Sequence, residues 1–385
     1  MLELADIVRS YRPAHEQRRA LTHHQRAVLD AVEHCRTAAL GGHLDVCLDC
    51  GLIEGPSYNS CRNRHCPKCP AVAQARWIAG RLERVLPTHS FHVVFTLPAE
   101  LRALGRANPG RLYDLLFRCA SDTLLALGRD PSRLGGELGV TAVLHTWTQK
   151  LAYHPHLHCI VTGGALRFDA SAWVPARSGF LFPVHVMGKL FRGKMLDALR
   201  REQQRGKLHV PDEQRFGALL DQLYRTKWNV YCKRPFGDAD QVIRYLGQYT
   251  HRVAISNRRL VAMDERGVTF RTKKGVLVTL DGVTFLERWL AHLLPRGFTK
   301  IRHYGLLSSS HATTRLEVAR ALLTKKAESE AERPDRPDAD LHKASWRDLI
   351  RALTGVEIDR CPRCGSSNRA RWALPRSPNR ARAPP

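Results

Sequence analysis

Tyr153-His154-Pro155-His156-Leu157-His158-Cys159-Ile160-Val161 reads as a strand carrying two histidines one residue apart. Side chains alternate across a strand, so His156 and His158 share one face while Leu157 and Cys159 share the other. Two imidazoles ~6–7 Å apart on that face converge on one divalent ion. In an arbitrary strand the same triplet serves as a polar rim or as hydrogen-bonded core histidines, so its meaning rests on its surroundings. Gly139 to Trp147 is a strand just before it, and Gly163-Gly164 closes it. The two strands form an antiparallel hairpin in the middle of a sheet. His92 to Leu97 adds an apolar strand stopped by Pro98.

Helical patterns alternate with these strands. Arg111 to Leu127 carries Leu112, Leu115, Leu116, Leu124 and Leu125, and Val184 to Gln204 and Asp212 to Lys227 are also helical. Trp228 to Lys233 is strand-like, and Val253 to Arg271 reads as a hairpin turning at Asp264 to Gly267. Val276 to Leu280 and Phe298 to Leu307 are strands, and Thr284 to Leu294 and Arg315 to Lys325 are helices. The fold class is therefore α+β, an antiparallel sheet flanked by helices, with a cysteine-rich module before it.

That module follows a polar, basic segment, residues 1–38, whose Arg18 to Cys35 stretch is an amphipathic helix ended by Gly41-Gly42. Two Cys-x-x-Cys knuckles, Cys47/Cys50 and Cys66/Cys69, stand fifteen residues apart, the spacing of a four-cysteine zinc site. Four thiolates leave no open coordination position, so the zinc is structural. Cys61, His65 and His43 are further candidate ligands, for a second site or in exchange with one of the four. Arg62, Arg64 and Lys68 lie between them as a candidate DNA-docking surface. Near the other end, Cys361-Pro362-Arg363-Cys364-Gly365 is a third knuckle with no second cysteine pair behind it.

Charge points the same way. Lys and Arg outnumber Asp and Glu by 61 to 36, a formal charge of +25. That balance favours a polyanionic partner, most simply nucleic acid. No apolar run approaches the ~18–20 residues of a membrane span, and no signal-peptide core opens the chain. A cytoplasmic protein is expected, where disulfides are rare, so eleven cysteines ask for metal.

Asp238 is an N-cap for a helix reaching about Arg252. Tyr245 and Tyr249, four apart, fall on one face of it. Either they pack as an aromatic stripe or they carry chemistry. A tyrosine hydroxyl attacks a phosphodiester to leave a phosphotyrosine and a free hydroxyl. A divalent ion held by neutral imidazoles polarises the phosphate and aligns the attack. The third ligand is left open by the sequence: Gln149 is the first choice, Gln248 and His251 the others, with His154 supporting from behind.

On these residues the chain resembles the HUH endonuclease superfamily, and more closely the two-tyrosine rolling-circle transposases of bacterial insertion sequences. The resemblance is carried by Cys47 to Cys69, by His145-Thr146-Trp147-Thr148-Gln149 with His154 to His158, and by Tyr245-Leu246-Gly247-Gln248-Tyr249-Thr250-His251-Arg252 running into Ser256-Asn257. It spans roughly residues 15 to 310. It implies Mg²⁺ or Mn²⁺ at the histidines and a link from tyrosine to the DNA 5′ end, with Arg252 on DNA. The linkage stores the bond energy, so no ATP is required, in keeping with the lack of a phosphate-binding Gly-Lys-Ser/Thr loop. Two tyrosines allow two successive cleavages of single-stranded element ends. The alternatives are a plasmid replication initiator or relaxase of the same superfamily, and a non-catalytic zinc-dependent DNA-binding remnant.

The expected organisation is a helical segment (1–38), the zinc module with its connecting helix and strand (39–97), the nuclease domain (98–310) and a helix (311–327). A charged linker follows (328–340), then a tail (341–385) with a short helix, the third knuckle and a disordered basic end.

Overall fold

The computed structural model describes the chain apart from residues 70, 83, 178, 234–253, 312, 329–344, 346, 349–350, 352–354, 356 and 378–385. Its centre is a five-stranded antiparallel sheet built on the two strands of the histidine hairpin. These are β5 (Gly139–Trp147) and β6 (Tyr153–Thr162); β3 (Ser90–Thr96) pairs with the other edge of β6. Outside them lie β13 (Ile301–Gly305) against β5 and β9 (Val230–Lys233) against β3, giving the order β13-β5-β6-β3-β9.

Alternation in these strands decides which face is buried. Phe91, Val93 and Phe95 of β3, Leu157, Cys159 and Val161 of β6, and Val140, Ala142 and Leu144 of β5 all enter one core. Helices α5 (Pro109–Arg129) and α6 (Val184–Gln204) cover that face with stripes spaced three and four residues apart. Leu112, Leu116, Cys119 and Leu127 form the first stripe, and Met187, Phe191, Met195 and Leu199 the second. Phe91 and Phe95 are wholly buried, and truncating either to Ala costs ~3–5 kcal/mol. The opposite residues of the same strands, His156 and His158 among them, face away from these helices.

A second core lies beyond the hairpin tip. It joins α1 (Leu4–Arg18), α2 (His23–Glu33), α8 (Gly282–Leu290) and the sheet of β10 (Leu260–Asp264), β11 (Gly267–Arg271) and β12 (Leu277–Leu280). Leu4, Ile7, Val8 and Leu29 pack there with Phe270, Phe285 and Trp289. The N-terminal helices are thus not a segment apart: they share a core with residues 254–290, and residues expected as one nuclease domain divide between two cores. The expected single helix from Arg18 begins instead at His23, behind a Thr22–Gln25 capping box, and α1 precedes it.

The two cores meet at the β5–β6 connection. Leu151 adopts φ 59° there and buries its side chain in the second core. Three successive carbonyls of the connection are each engaged from that core. Gln149 O accepts from Arg259 Nη2 at 2.8 Å, Lys150 O from Arg288 Nη1 at 3.1 Å, and Leu151 O from His292 Nε2 at 3.1 Å. A tip clamped at three points holds the histidine strands in one register.

The expected disordered tail holds an ordered piece. β14 (Arg369–Leu374) pairs along the whole of β1 (Gly42–Cys47), which also pairs with the short β2 (Ser57–Tyr58). The linker expected at 328–340 and the short helix expected from Trp346 fall on residues mostly outside those described. Among the described residues, no helix is long and apolar enough to cross a membrane.

Candidate metal and nucleic-acid site

The hairpin register sets His145 directly opposite His156, and Val143 opposite His158. His145, His156 and His158 therefore share one face, with donor atoms within 4.8 Å of one another. Ring centroids are 4.3 Å apart for His145 and His158, 5.0 Å for His156 and His158, and 5.6 Å for His145 and His156. Two of the three came from the strand pattern. The third, His145, stands on the neighbouring strand, and only the register reveals that it is opposite His156.

Hydrogen bonds fix how two of these rings present themselves. His156 Nδ1 lies 2.7 Å from the His154 carbonyl, which only accepts, so Nδ1 carries the proton and Nε2 keeps its lone pair. His158 Nδ1 lies 2.8 Å from His92 Nε2. A proton on His158 Nδ1, donated to His92, likewise leaves Nε2 of His158 as the donor atom for a cation. His92, on β3 diagonal to His158, was not singled out by the sequence reading. Nothing in its local pattern marks it, since its contact depends on strand pairing.

Burial keeps the rings neutral. It pushes His156 and His92 down to about 4. His145 and His158 fall well below the ordinary imidazole value, first by burial and then by a neighbouring imidazole, His158 for His145 and His156 for His158. Neutral rings near pH 7 are what a divalent cation requires of imidazole ligands.

The cluster forms the floor of a cavity of about 560 Å³. Arg258, Arg259, Arg271 and Lys273 of the second core line its other wall, together with Ala254, Ile255 and Ser256. Burial depresses the Arg259 guanidinium, which bridges Arg271 O at 2.7 Å and Gln149 O, and so ties the wall to the hairpin. Gln149, the expected third ligand, lines the cavity too, and one lone pair of its Oε1 accepts the Lys273 N–H at 3.1 Å. Among the imidazoles, the neighbour of His156 and His158 is His145. Tyr245, Tyr249, Gln248, His251 and Arg252 lie outside the described residues.

The cysteines regroup. The structure does not gather Cys47, Cys50, Cys66 and Cys69 around one point. Cys66 and Cys69 stand with Cys35 and Cys61, while Cys47 and Cys50 stand with Cys361 and Cys364. The reason is topological: Cys47 and Cys50 follow β1 to its far end, beside β14, whereas Cys66 turns back under α2. In the inner cluster Cys69 Sγ lies 3.4 Å from Cys35 Sγ and 3.5 Å from Cys61 Sγ. Four sulfurs at ~2.3 Å around a tetrahedral ion have edges of about 3.8 Å, and a disulfide would need about 2.05 Å. Cys61 thus joins the inner cluster, and Cys35, which belongs to no knuckle and gave no sequence signal, completes it.

His65 is spoken for. Its Nε2 accepts the Leu294 N–H at 3.1 Å and its Nδ1 lies 3.2 Å from Asn63 Oδ1, leaving no lone pair for zinc. His43 sits 3.5 Å from Asp45. Of the expected docking residues, Arg62 and Arg64 are exposed, Arg64 also donating to the Phe298 carbonyl at 2.7 Å, and the half-buried Lys68 pairs with Glu3. Arg64 and Lys68 also join the inner cluster to its neighbours, and a further group of cationic side chains lines the cavity with the histidines.

Known proteins resemble this chain in sequence. Residues 7–97 match a family described as "Transposase zinc-binding domain", and residues 139–315 match one described as "Putative transposase". The chain is 41% identical over 378 residues to "Putative transposase y4qJ" of Sinorhizobium fredii, covering 94% of this chain and 92% of that protein. It is 27% identical over 322 residues to "Transposase for insertion sequence element IS801" of Pseudomonas savastanoi pv. phaseolicola, covering 80% and 73%. No solved structure matches it.

Proposed function

The chain belongs to the transposase family of these relatives, and on that premise we propose that it nicks and rejoins single-stranded DNA at insertion-sequence ends through a 5′-phosphotyrosine. One observation carries the reading. Three neutral imidazoles gather in a cavity that cationic side chains also line, and Ala254 of that lining directly follows in sequence the segment bearing the tyrosines. Tyr249 is five residues upstream of Ala254, a tether of at most about 18 Å.

His145, His156 and His158 would hold Mg²⁺ or Mn²⁺. When bound, the ion supplies Lewis-acid polarisation of the scissile phosphate. The chain's own residues do the rest. The His154 carbonyl and His92 orient the imidazoles, and the clamped hairpin tip fixes their separation. Arg258 and Lys273 draw the phosphate backbone into the cavity. The Tyr245 or Tyr249 oxygen attacks phosphorus in line and forms the new P–O bond. The bond to the 3′ oxygen breaks, and that oxygen leaves as the 3′-OH. Reversal, by a 3′-OH on the phosphotyrosine, joins strands without ATP. Such a three-histidine nuclease is the HUH arrangement, and two tyrosines suit two successive cleavages. A site of this kind works on DNA in the cytoplasm.

The test is an adduct assay. A labelled single-stranded oligonucleotide carrying an element end, incubated with the protein and Mg²⁺ or Mn²⁺, should give an SDS-resistant protein–DNA product. It should vanish on chelation and in the Tyr245→Phe/Tyr249→Phe double variant, with DNA binding retained. An adduct that persists in the double variant overturns the nucleophile assignment. Binding without an adduct, across both metals and several ends, leaves a DNA-binding remnant.

A further inference from the structure

The third knuckle finds its missing half at the opposite end of the chain. Cys47 Sγ is 3.6 Å from Cys364 Sγ, and Cys50 Sγ is 3.7 Å from Cys361 Sγ. Both separations match the ~3.8 Å edge of a tetrahedral four-sulfur site and exceed a disulfide by more than an ångström.

The two knuckles are also built alike. Each is a Cys-x-x-Cys-Gly sequence: Cys47-Leu48-Asp49-Cys50-Gly51 and Cys361-Pro362-Arg363-Cys364-Gly365. In the first, Gly51 N–H donates to Cys47 O at 3.0 Å and Cys47 N–H to Leu52 O at 2.9 Å. In the second, Gly365 N–H donates to Cys361 O at 2.9 Å and Cys361 N–H to Ser366 O at 2.8 Å. The glycines close both turns with φ of 69° and 74°, a region open to glycine without steric cost. Two equivalent turns facing each other present two sulfurs apiece, as a tetrathiolate site needs.

The flanking chain is fitted to hold them there. β1 and β14 pair residue for residue from Gly42 opposite Leu374 to Cys47 opposite Arg369. Across that seam Arg371 Nε meets Asp45 at 2.7 Å and Arg369 Nη2 meets Glu54 at 2.6 Å. Asn368 Nδ2 donates to Asp49 at 2.6 Å. A side chain at Gly42 would place its Cβ 2.5 Å from Ser57 O, so β1 is threaded tightly between its partners.

We propose that Cys47, Cys50, Cys361 and Cys364 bind a second structural zinc ion that staples the two ends of the chain together, separate from the ion of Cys35, Cys61, Cys66 and Cys69. The zinc-binding family match stops at residue 97 and so contains only half of this cluster. The inference does not depend on the phosphotyrosine chemistry.

Zinc content of the full-length protein decides it. The intact chain should hold two zinc ions, and Cys361→Ser/Cys364→Ser should hold one while remaining folded. Cobalt substitution should show the same halving of tetrathiolate absorption. A measurement on the unaltered protein guards against a variant that fails to fold. Under native conditions Cys47, Cys50, Cys361 and Cys364 should resist alkylation and become reactive together on chelation. One zinc in the intact chain, two in the double variant, or four cysteines released by reductant but not by chelator would each overturn the proposal, the last in favour of disulfides.

Discussion

His145, His156 and His158 come from one hairpin, while Cys47 and Cys364 of the outer cluster are 317 residues apart in the chain. The two regions gather donor atoms by opposite means. At the histidines, strand register alone sets the separation, and three nitrogens leave coordination positions facing a cavity of about 560 Å³. At the cysteines, two distant turns meet and four sulfurs close the site. An open set of donor atoms needs rigidity without saturation, and neighbouring strands with a clamped tip provide it. A site that only joins chain segments gains most when those segments are far apart, because more unfolded-chain freedom is removed.

The sharpest way to break this contrast is to remove one donor from the histidine side. His145→Ala or His156→Ala should reduce adduct formation roughly 10²–10³-fold, the several kcal/mol a metal contributes to such a reaction. Zinc content, measured in the same preparations, should be unchanged. Loss of zinc alongside activity would show that the two regions are not independent.

Next in size is the effect of acid on an imidazole that is buried but has no part in the cluster. His292 accepts from Thr146 Oγ1 at 3.3 Å and donates to Leu151 O, and burial holds it down to about 4. Its folded value lies below the unfolded one of about 6.5, so the unfolded chain binds more protons between the two. Its contribution is complete above about pH 6.5 and is lost as pH falls towards 4, roughly 3 kcal/mol in all. Urea unfolding at pH 7 and pH 4.5 should show a steeper acid loss for the native sequence than for His292→Gln. Equal losses would remove His292 from the account.

A smaller effect is expected where the support of a donor is removed and the donor kept. His92→Gln should raise the Mn²⁺ concentration for half-maximal nicking roughly 10–100-fold, with the melting temperature little changed. An unchanged metal requirement would leave His92 with a packing role only. Smallest of all, Gln149→Ala should lower activity less than about tenfold, since it removes one hydrogen bond at the hairpin tip. A loss matching that of His145→Ala would mark Gln149 as a metal ligand.

What the sequence makes legible follows the same division. Period-two alternation placed His156 and His158 on one face, and β5 and α6 appear with the expected bounds, because those signals are local. His145 and His92 were hidden since each is recognised only by what lies across a strand pairing. The cysteine pattern pointed rightly to zinc but to the wrong four: the spacing of Cys47/Cys50 and Cys66/Cys69 describes a ribbon, whereas β1 carries the first pair away to β14. Arg369 to Leu374, rich in arginine, reads as a tail because its strand character comes from pairing with β1 and from Asp45 and Glu54, not from its own apolar content.

That pairing also sets a timetable. The inner cluster needs only the 34 residues from Cys35 to Cys69, which a ribosome adding ~5–20 residues per second delivers in about 2–7 s. The outer cluster waits for Cys364, roughly 16–63 s after Cys47 at the same pace. The histidine hairpin, complete only at Thr162, is made partway through that interval, while one edge of β1 still stands unpaired and two thiols await their counterparts. The outer cluster is therefore completed well after the histidine hairpin is made, and a nascent chain with a formed histidine site still lacks it.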